Sequence, residues 1–237
     1  MQVSQFEIHR LIQRAMEALG SGYGVDRDAA RAVTWLQARG LPGLAVFDRE
    51  LPALESGLPV ARLQGESGGE TIIELGGSAI ACAGAVADLA VAKFRQFTNA
   101  RIRLRACTAP LFLIPALVDA ALPGASLNWL VDGGEVSVIA GGGEATVFLP
   151  PEMSLNEALA GPRGDTLLSV PALAPPPDLV AALSPAQMAD RLNWVLSRGV
   201  DVDPALWRRL DAVAARVQVP ASEESRKRGA GGGDVNT

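Results

Sequence analysis

Residues 101–106 alternate between basic and apolar side chains, and Cys107 ends this run. Successive side chains of a β-strand lie on opposite faces of a sheet, so this alternation predicts a strand with one buried and one solvated face. The apolar set is Ile102, Leu104 and Ala106, and the basic set is Arg101, Arg103 and Arg105. A solvated strand face accounts for the three arginines, and the alternative is a basic row that holds an anion.

Other β-type runs and small-residue helices surround this strand. The predicted strands are 59–64, 71–75, 101–107, 126–131, 135–140 and 144–149, and the predicted helices between them are 81–97 and a segment around Pro115 within 110–122. The first two runs predict a hairpin across Gly65–Gly69, and the last three predict a β-meander with glycine-rich turns. Strand 101–107, the following helix and strand 126–131 suggest a strand–helix–strand unit, so the sheet is predicted to be mixed.

The N-terminal residues predict a helical hairpin. Ser4 and Glu7 have the spacing of a capping box ahead of an apolar stripe with helical period. Asp26 is predicted to cap a second helix that ends near Gly40, and residues 41–44 are predicted to turn the chain. A hairpin of this kind needs another surface to bury its stripe.

The C-terminal part begins with a proline-rich stretch, 171–177, which is predicted to be a stiff connector. Ser184 and Asp203 each precede a proline and are predicted to cap two helices, the second of which ends near Gln218. Residues 222–237 are glycine-rich and polar, so this tail is not expected to pack by itself.

These elements predict a mixed α/β (α+β) fold with a central mixed sheet, a strand–helix–strand unit, a meander and helices packed around it. The predicted parts are an N-terminal helical hairpin (1–50), a mixed α/β core (51–170), a linker with a C-terminal helix pair (171–221) and a glycine-rich tail (222–237). Residues 1–221 are expected to form one compact domain.

The net charge and the cysteine content argue against several classes of function. A net charge of −5 over 237 residues argues against nucleic-acid binding, which needs a basic surface. Two cysteines, Cys82 and Cys107, form no CxxC pair, so the expected compartment is a reducing cytoplasm. No signal-peptide pattern opens the sequence and no apolar stretch is long enough to span a bilayer, so no membrane role is expected.

The usual catalytic groups are sparse. His9 is the sole histidine and lies beside the apolar stripe of the first predicted helix, where a boundary position is the simpler interpretation. Without clustered histidine, cysteine or carboxylate ligands, no metal site is predicted. No G-x-S-x-G nucleophile elbow between a strand and a helix is predicted, and the phosphate-loop motifs are absent. This pattern favours a protein that is not an enzyme.

Cys107 ends the alternating strand, at the edge of an α/β sheet where ligands often bind. Its neighbours Arg105 and Thr108 would lower the pKa of the thiol. In an enzyme, Cys107, Arg105 and Asp132 would act as nucleophile, anion holder and base. The alternative is a buried packing thiol, which is also the prediction for Cys82.

Two other segments are candidate ligand-binding sites. Gly76, Gly77 and Ser78 join a β-run to a helix, where free backbone N–H groups bind phosphate or carboxylate. The alternative is a plain turn. Arg226 lies in the C-terminal tail, which would order over a ligand or partner or remain disordered. The glycines at 141–143 are predicted to form a hairpin turn.

Three segments resemble a bacterial family known as domain of unknown function 3726. They are Val3-Ser4 with Glu7-Ile8, the turn from Trp35-Leu36 to Arg39-Gly40-Leu41-Pro42-Gly43-Leu44, and the closing stretch from Val219-Pro220 to Arg228-Gly229-Ala230-Gly231. The resemblance implies no activity.

The order of elements is also similar to a shortened member of the NAD(P)-dependent malate, lactate and sulfolactate dehydrogenase family that lacks a Rossmann fold. That resemblance implies NAD(P) as a cofactor and two histidines. Here the corresponding positions are Leu41-Pro42-Gly43 and a segment near Thr108-Ala109-Pro110. Both histidines are therefore missing, and hydride transfer to a 2-keto acid needs a proton donor.

The leading hypothesis is a cytoplasmic accessory or small-molecule-binding protein on a degenerate dehydrogenase-like core, with a possible operon-encoded protein partner. The first alternative is an enzyme that acts on a small carboxylate without a catalytic histidine. The second is an interaction module that forms a homodimer through the apolar stripe of the N-terminal hairpin.

Overall fold

Ten strands and two sheets are present in the described part of the chain. The structure is a computed structural model, and it describes residues 1–158, 161 and 164–217. The strands are β1 (Gln2–Val3), β2 (Arg62–Ser67), β3 (Glu70–Gly77), β4 (Ala100–Cys107), β5 (Ala125–Val131), β6 (Gly134–Gly141), β7 (Glu144–Leu149), β8 (Thr166–Val170), β9 (Val180–Leu183) and β10 (Val200–Asp201). The large sheet has the order β2-β3-β4-β8-β5-β6-β7-β9, and β1 pairs with β10.

Eight α-helices and three short 3-10 turns complete the described elements. The helices are α1 (Gln5–Ala18), α2 (Val25–Ala38), α3 (Gly43–Ser56), α4 (Ala83–Phe97), α5 (Leu113–Asp119), α6 (Leu155–Ala158), α7 (Pro185–Arg198) and α8 (Pro204–Ala214). The 3-10 turns are Ala79–Ala81, Pro110–Phe112 and Ala215–Val217. None of the helices in these ranges is long and apolar enough to cross a membrane.

The predicted fold class is confirmed. The hairpin of β2 and β3 turns at Gly68 and Gly69, and β5, β6 and β7 form the predicted antiparallel meander. Helix α4 packs on β4, α5 on β6 and β7, and α7 on β7. Every second residue of β3, β4, β5 and β7 is buried along most of each strand, as expected for a sheet covered mainly on one face.

The predicted strand–helix–strand unit, β4-α5-β5, is confirmed, and a second unit that was not predicted has directly paired strands. Strands β3 and β4 are parallel neighbours connected by α4. The predicted unit joined β4 to β5, but β8 lies between these two strands and is antiparallel to both. Strand β8 was not predicted, and it places the two parallel strands of the predicted unit two positions apart in the sheet.

The predicted alternation of β4 holds as far as Arg105 and then breaks. Ala106 was placed on the buried face, but it is exposed and has a φ of 51°. This left-handed conformation is uncommon for a residue with a side chain. It shifts the alternation by one position, so the next residue, Cys107, is buried instead.

Three helices, rather than a hairpin of two, form the N-terminal part. The capping box of α1 is confirmed, because Ser4 N donates to Glu7 Oε2 at 2.7 Å and Glu7 N donates to Ser4 Oγ at 3.2 Å. The predicted cap of α2 is wrong. Gly24 is the N-cap residue, and Asp26 lies in the first turn, where it accepts a hydrogen bond from Gln13 Nε2 at 2.9 Å.

The unpredicted helix α3 begins at Gly43, within the segment predicted to be a turn. Its burial pattern has helical spacing, with Leu44, Phe47, Leu51 and Leu54 all buried. At the other end of the chain, the predicted caps Ser184 and Asp203 are confirmed for α7 and α8. Residues 222–237 lie outside the described residues.

Helices α2 and α3 cross closely at Gly43. A Cβ atom there would lie 2.6 Å from the carbonyl oxygen of Val33 and 3.1 Å from Leu36 Cβ. We expect Gly43→Ala to lower the free energy of unfolding by about 1–3 kcal/mol, because the two helices would have to move apart. Chemical denaturation measures this difference.

Gly22→Ala is the matched control. Nothing lies within 4 Å of a Cβ atom at Gly22, and its φ is not positive. We expect this variant to stay within about 0.5 kcal/mol of the parent protein. Equal stability of the two variants would show that the helices do not meet as closely as described.

Candidate functional site

The carboxyl ends of β3 and β4 bring two predicted segments together. Gly77 is the register partner of Cys107, and Thr108 N donates to the Gly77 carbonyl at 3.0 Å. Ser78 is buried, and its hydroxyl accepts a hydrogen bond from Ile80 N at 3.4 Å. This hydroxyl therefore caps the 3-10 turn at 79–81, as in the plain-turn alternative.

Cys107 lies in the interior. The side chain is 2% exposed, and burial raises the pKa of the thiol to about 12. The interpretation of Cys107 as a buried packing thiol is therefore confirmed. The lowering of its pKa by Arg105 and Thr108 is wrong, because the loss of solvent around the thiolate dominates. Burial also raises the pKa of Cys82 to about 12.

The three candidate catalytic residues do not share a surface. Cys107 is buried, whereas Arg105 and Asp132 are exposed. Asp132 follows β5, which is separated from β4 by β8. A nucleophilic thiol needs a base within hydrogen-bond reach and a path along which the substrate can reach it. The buried, protonated thiol of Cys107 does not meet these requirements.

A buried carboxylate occupies this edge instead. Glu50 of α3 is 7% exposed and accepts a short hydrogen bond from the Thr108 hydroxyl. Arg49 Nε lies 3.4 Å from the other carboxylate oxygen of Glu50. Glu50 was missed because α3 was not predicted, although the apolar spacing of residues 44–54 was the available signal.

Little space remains between α3 and the end of β4. The cavity there has a volume of about 10 Å³ and is lined by residues that include Val46, Arg49, Thr108 and Trp129. One water molecule needs about 10–15 Å³. Among the described residues, the cavity at this edge is therefore too small for a ligand much larger than a water molecule.

A groove with a volume of about 480 Å³ lies between α2, α4 and α5. Its floor is apolar and includes the buried side chains of Ala32, Ala87 and Phe112. Small residues on α4 create the depth, and at Gly84 a Cβ atom would approach Asp28 Oδ2 to 3.1 Å. Clefts of about 300–1,000 Å³ with apolar walls are typical of small-molecule sites.

Charged side chains surround this groove. They are Asp28, Arg31, Asp88, Arg95 and Asp119. Arg31 of α2 and Asp119 of α5 form an ion pair across it, with 2.7 Å between Nη2 and Oδ2. The sequence predicted the small-residue helix α4 but not the groove, because the groove depends on how three separate helices pack.

The remaining predicted residues lie elsewhere. His9 is half-buried on α1, and burial together with the neighbouring Arg10 lowers its pKa. No group of three or more histidine, cysteine or carboxylate side chains could hold a metal ion in the described ranges. The glycines at 141–143 form the turn between β6 and β7, and Arg226 lies outside the described residues.

The part of the chain that matches a protein family contains α1 to α3, β2 and most of β3. Residues 3–75 match a family of unknown function. Its description is "Protein of unknown function (DUF3726)", which confirms the first resemblance over these residues. No curated protein sequence matches the chain.

Several dehydrogenase structures have a similar fold. Sulfolactate dehydrogenase from Methanocaldococcus jannaschii superposes with a TM-score of 0.64 at 12% identity, covering 90% of this chain and 96% of that one. A dehydrogenase from Sinorhizobium meliloti gives 0.66 at 13%, covering 91% and 99%. A putative malate/lactate dehydrogenase from E. coli gives 0.65 at 11%, covering 96% and 98%. The predicted dehydrogenase-like fold is thereby confirmed, and at these identities the likeness concerns the fold alone.

Both cysteines are expected to be unreactive in the folded protein at pH 8. Their thiols are buried and keep their protons, whereas the thiolate is the reactive form. Ellman's reagent should therefore modify them only as the protein unfolds, at a rate that rises with denaturant. The fully denatured chain, in which both thiols react at once, is the control. Rapid modification of either thiol in the native protein would contradict the buried position of the cysteine that reacts.

Proposed function

We propose that this protein binds a small molecule without transforming it, on a fold shared with dehydrogenases. The observation that carries the proposal is the contrast between two sites. The sheet edge at Thr108 leaves a cavity of about 10 Å³, whereas the groove between α2, α4 and α5 offers about 480 Å³. Among the described residues, a ligand therefore has room in the groove, whereas the cavity at the edge could hold about one water molecule.

The chemistry of the closed edge supports a non-catalytic role. The two positions that the dehydrogenase resemblance assigns to histidines are occupied by Pro42, at the start of α3, and by the segment near Ala109. Neither Pro42 nor the segment near Ala109 carries a proton donor that acts near neutral pH. The one buried carboxylate nearby, Glu50, is held by Thr108.

The groove suits a small amphipathic molecule with charges of both signs. Its floor would bury an apolar body, and its rim offers three carboxylates and two guanidinium groups. A nicotinamide dinucleotide fits poorly. Its pyrophosphate would meet the excess of carboxylates, and Arg31 is already paired with Asp119. We therefore propose a zwitterion, such as an amino acid with an apolar side chain, as the ligand class.

A thermal-shift screen tests the proposal. We expect apolar amino acids to raise the melting temperature of the purified protein by several degrees, since a ligand at about 100 times its Kd stabilises by roughly 2.7 kcal/mol. NADH, NADPH and simple dicarboxylates should have little effect. No shift with any zwitterion would overturn the proposed ligand class.

A pair of variants ties the shift to the groove. Ala116 is partly buried and lines the groove, whereas Ala92 is exposed on α4 and does not line it. Ala116→Trp should remove the ligand-induced shift by filling the groove, and Ala92→Trp should preserve it. A ligand that still stabilises Ala116→Trp binds elsewhere.

A hydride-transferring enzyme is the second candidate, because the neighbouring structures bear the names of dehydrogenases. This candidate predicts a thermal shift with NADH or NADPH and oxidation of that cofactor in the presence of a small 2-keto acid. Both results together would replace the binding proposal.

A protein partner becomes the better proposal if no small molecule binds. The apolar stripe of α1 does not offer the expected dimer surface, because Ile8, Leu11 and Ile12 are buried within this chain.

A further inference from the structure

The three arginines on the outer face of β4 differ in their partners. Arg103 is held by two carboxylates, with Nε at 2.8 Å from Glu70 Oε2 and Nη1 at 3.4 Å from Asp165 Oδ2. Arg101 and Arg105 are exposed, and neither forms an ion pair with any residue in the described ranges. In the predicted basic row, the charge of Arg103 is thus neutralised by carboxylates. Arg101 and Arg105, on either side of it, form no ion pair in the described ranges.

Arg101 lies in a cleft, with a volume of about 410 Å³, at the amino ends of β3 and β4. The cleft is lined by the Gly68–Gly69 turn, by Asn99 to Arg101 and by residues 169–173. Arg101 is the one charged side chain among these described lining residues, so no lining carboxylate offsets its charge. The protein as a whole is acidic, with a net charge of −5, which makes this local excess of positive charge notable.

Ser169 of β8 is the second polar group of the cleft. It is the register partner of Arg101 in the β4–β8 pair, so the two residues are cross-strand neighbours. Ser169 is 2% exposed, and its hydroxyl has no hydrogen-bond partner in the described structure. Its neighbour Ser126 is satisfied, because that hydroxyl accepts from Leu173 N at 3.1 Å.

A buried hydroxyl without a partner calls for an explanation, since most buried polar side chains in native proteins are hydrogen-bonded. An anion bound beside Arg101 would supply an acceptor for the Ser169 hydroxyl as well as a counter-charge. Open space surrounds the turn glycines that line the cleft, because nothing lies within 4 Å of a Cβ atom at Gly68 or Gly69. Asn99 adds an amide donor at the same end.

We propose that this cleft binds the oxyanion of a small molecule, either a carboxylate or a phosphate group, through Arg101 and Ser169. A guanidinium group forms charge-assisted and often bidentate hydrogen bonds with both kinds of oxyanion. The cleft lies on strands β3, β4 and β8, whereas the groove of the proposed function lies between three helices. A negative result at one of these sites therefore does not contradict the proposal for the other.

A titration of the ¹⁵N-labelled full chain by NMR tests this site. Sodium phosphate and sodium acetate are added separately at constant ionic strength, which holds general screening fixed. We expect saturable shifts of the backbone amides of Gly68, Gly69 and Ser169 with at least one anion. Saturation with phosphate alone identifies a phosphate group, and saturation with acetate alone identifies a carboxylate. Shifts that never saturate with either anion would overturn the proposal.

Two arginine variants separate a built site from general charge attraction. Arg101→Gln should weaken binding about tenfold, the loss expected when one charge-assisted hydrogen bond is removed. Arg105→Gln is the matched control. It removes an exposed arginine without a described ion pair from the same face of the same strand, and it lies outside the cleft. Equal weakening by both variants would show non-specific attraction and would contradict the site.

Ser169→Ala tests the hydroxyl. We expect weaker binding with unchanged stability or a small gain, because the variant removes a buried polar group that has no partner in the free protein. The dispersion of the amide spectrum reports whether each variant is folded. Unchanged affinity in Ser169→Ala would exclude the hydroxyl from the site, and would overturn the proposal as stated.

Discussion

The parallel pairing of β3 and β4 determines what both ends of the sheet contain. Because α4 carries the chain back, the two strands end together at Gly77 and Cys107 and begin together near Gly69 and Arg101. The carboxyl end is closed by α3, whose Glu50 receives the Thr108 hydroxyl. The amino end keeps an open cleft. The same connection places α4 beside α2 and α5, and these three helices form the groove.

Short-range sequence patterns predicted the elements that depend on interactions between residues close together in the chain. Capping residues of α1, α7 and α8 satisfy backbone groups within a few positions, and the alternation of β4 follows from the pleat of a single strand. These patterns did not predict the elements whose structure depends on residues that are distant in the chain but close in space. Gly43 resembles a turn residue, yet it begins α3 because a glycine allows α2 and α3 to cross closely. Strand β8 is five residues long and is stabilised by β4 and β5 on its two sides.

The candidate sites repeat this pattern at the level of side chains. Cys107 was recognised by its place at a strand end, but one left-handed residue, Ala106, reverses which face it occupies. A period-two pattern cannot reveal such a reversal, since it assumes regular backbone angles. Glu50 and Ser169 were missed because each acts with a residue more than fifty positions away in the chain. The arginines of β4 were found, whereas the difference between them depends on Glu70 and Asp165.

The small sheet of β1 and β10 has a consequence for biosynthesis. Val3 pairs with Val200, α1 packs on α8, and Gly199 passes so close to Val3 that a Cβ atom would lie 2.8 Å from its carbonyl oxygen. Strand β1 therefore receives its partner only after residues 200–201 have emerged from the ribosome. During translation, the apolar face that α1 later presents to α8 has no cover from that helix. Contacts of such sequence separation form slowly, whereas the packing of α1 on α2 joins elements that are adjacent in the chain.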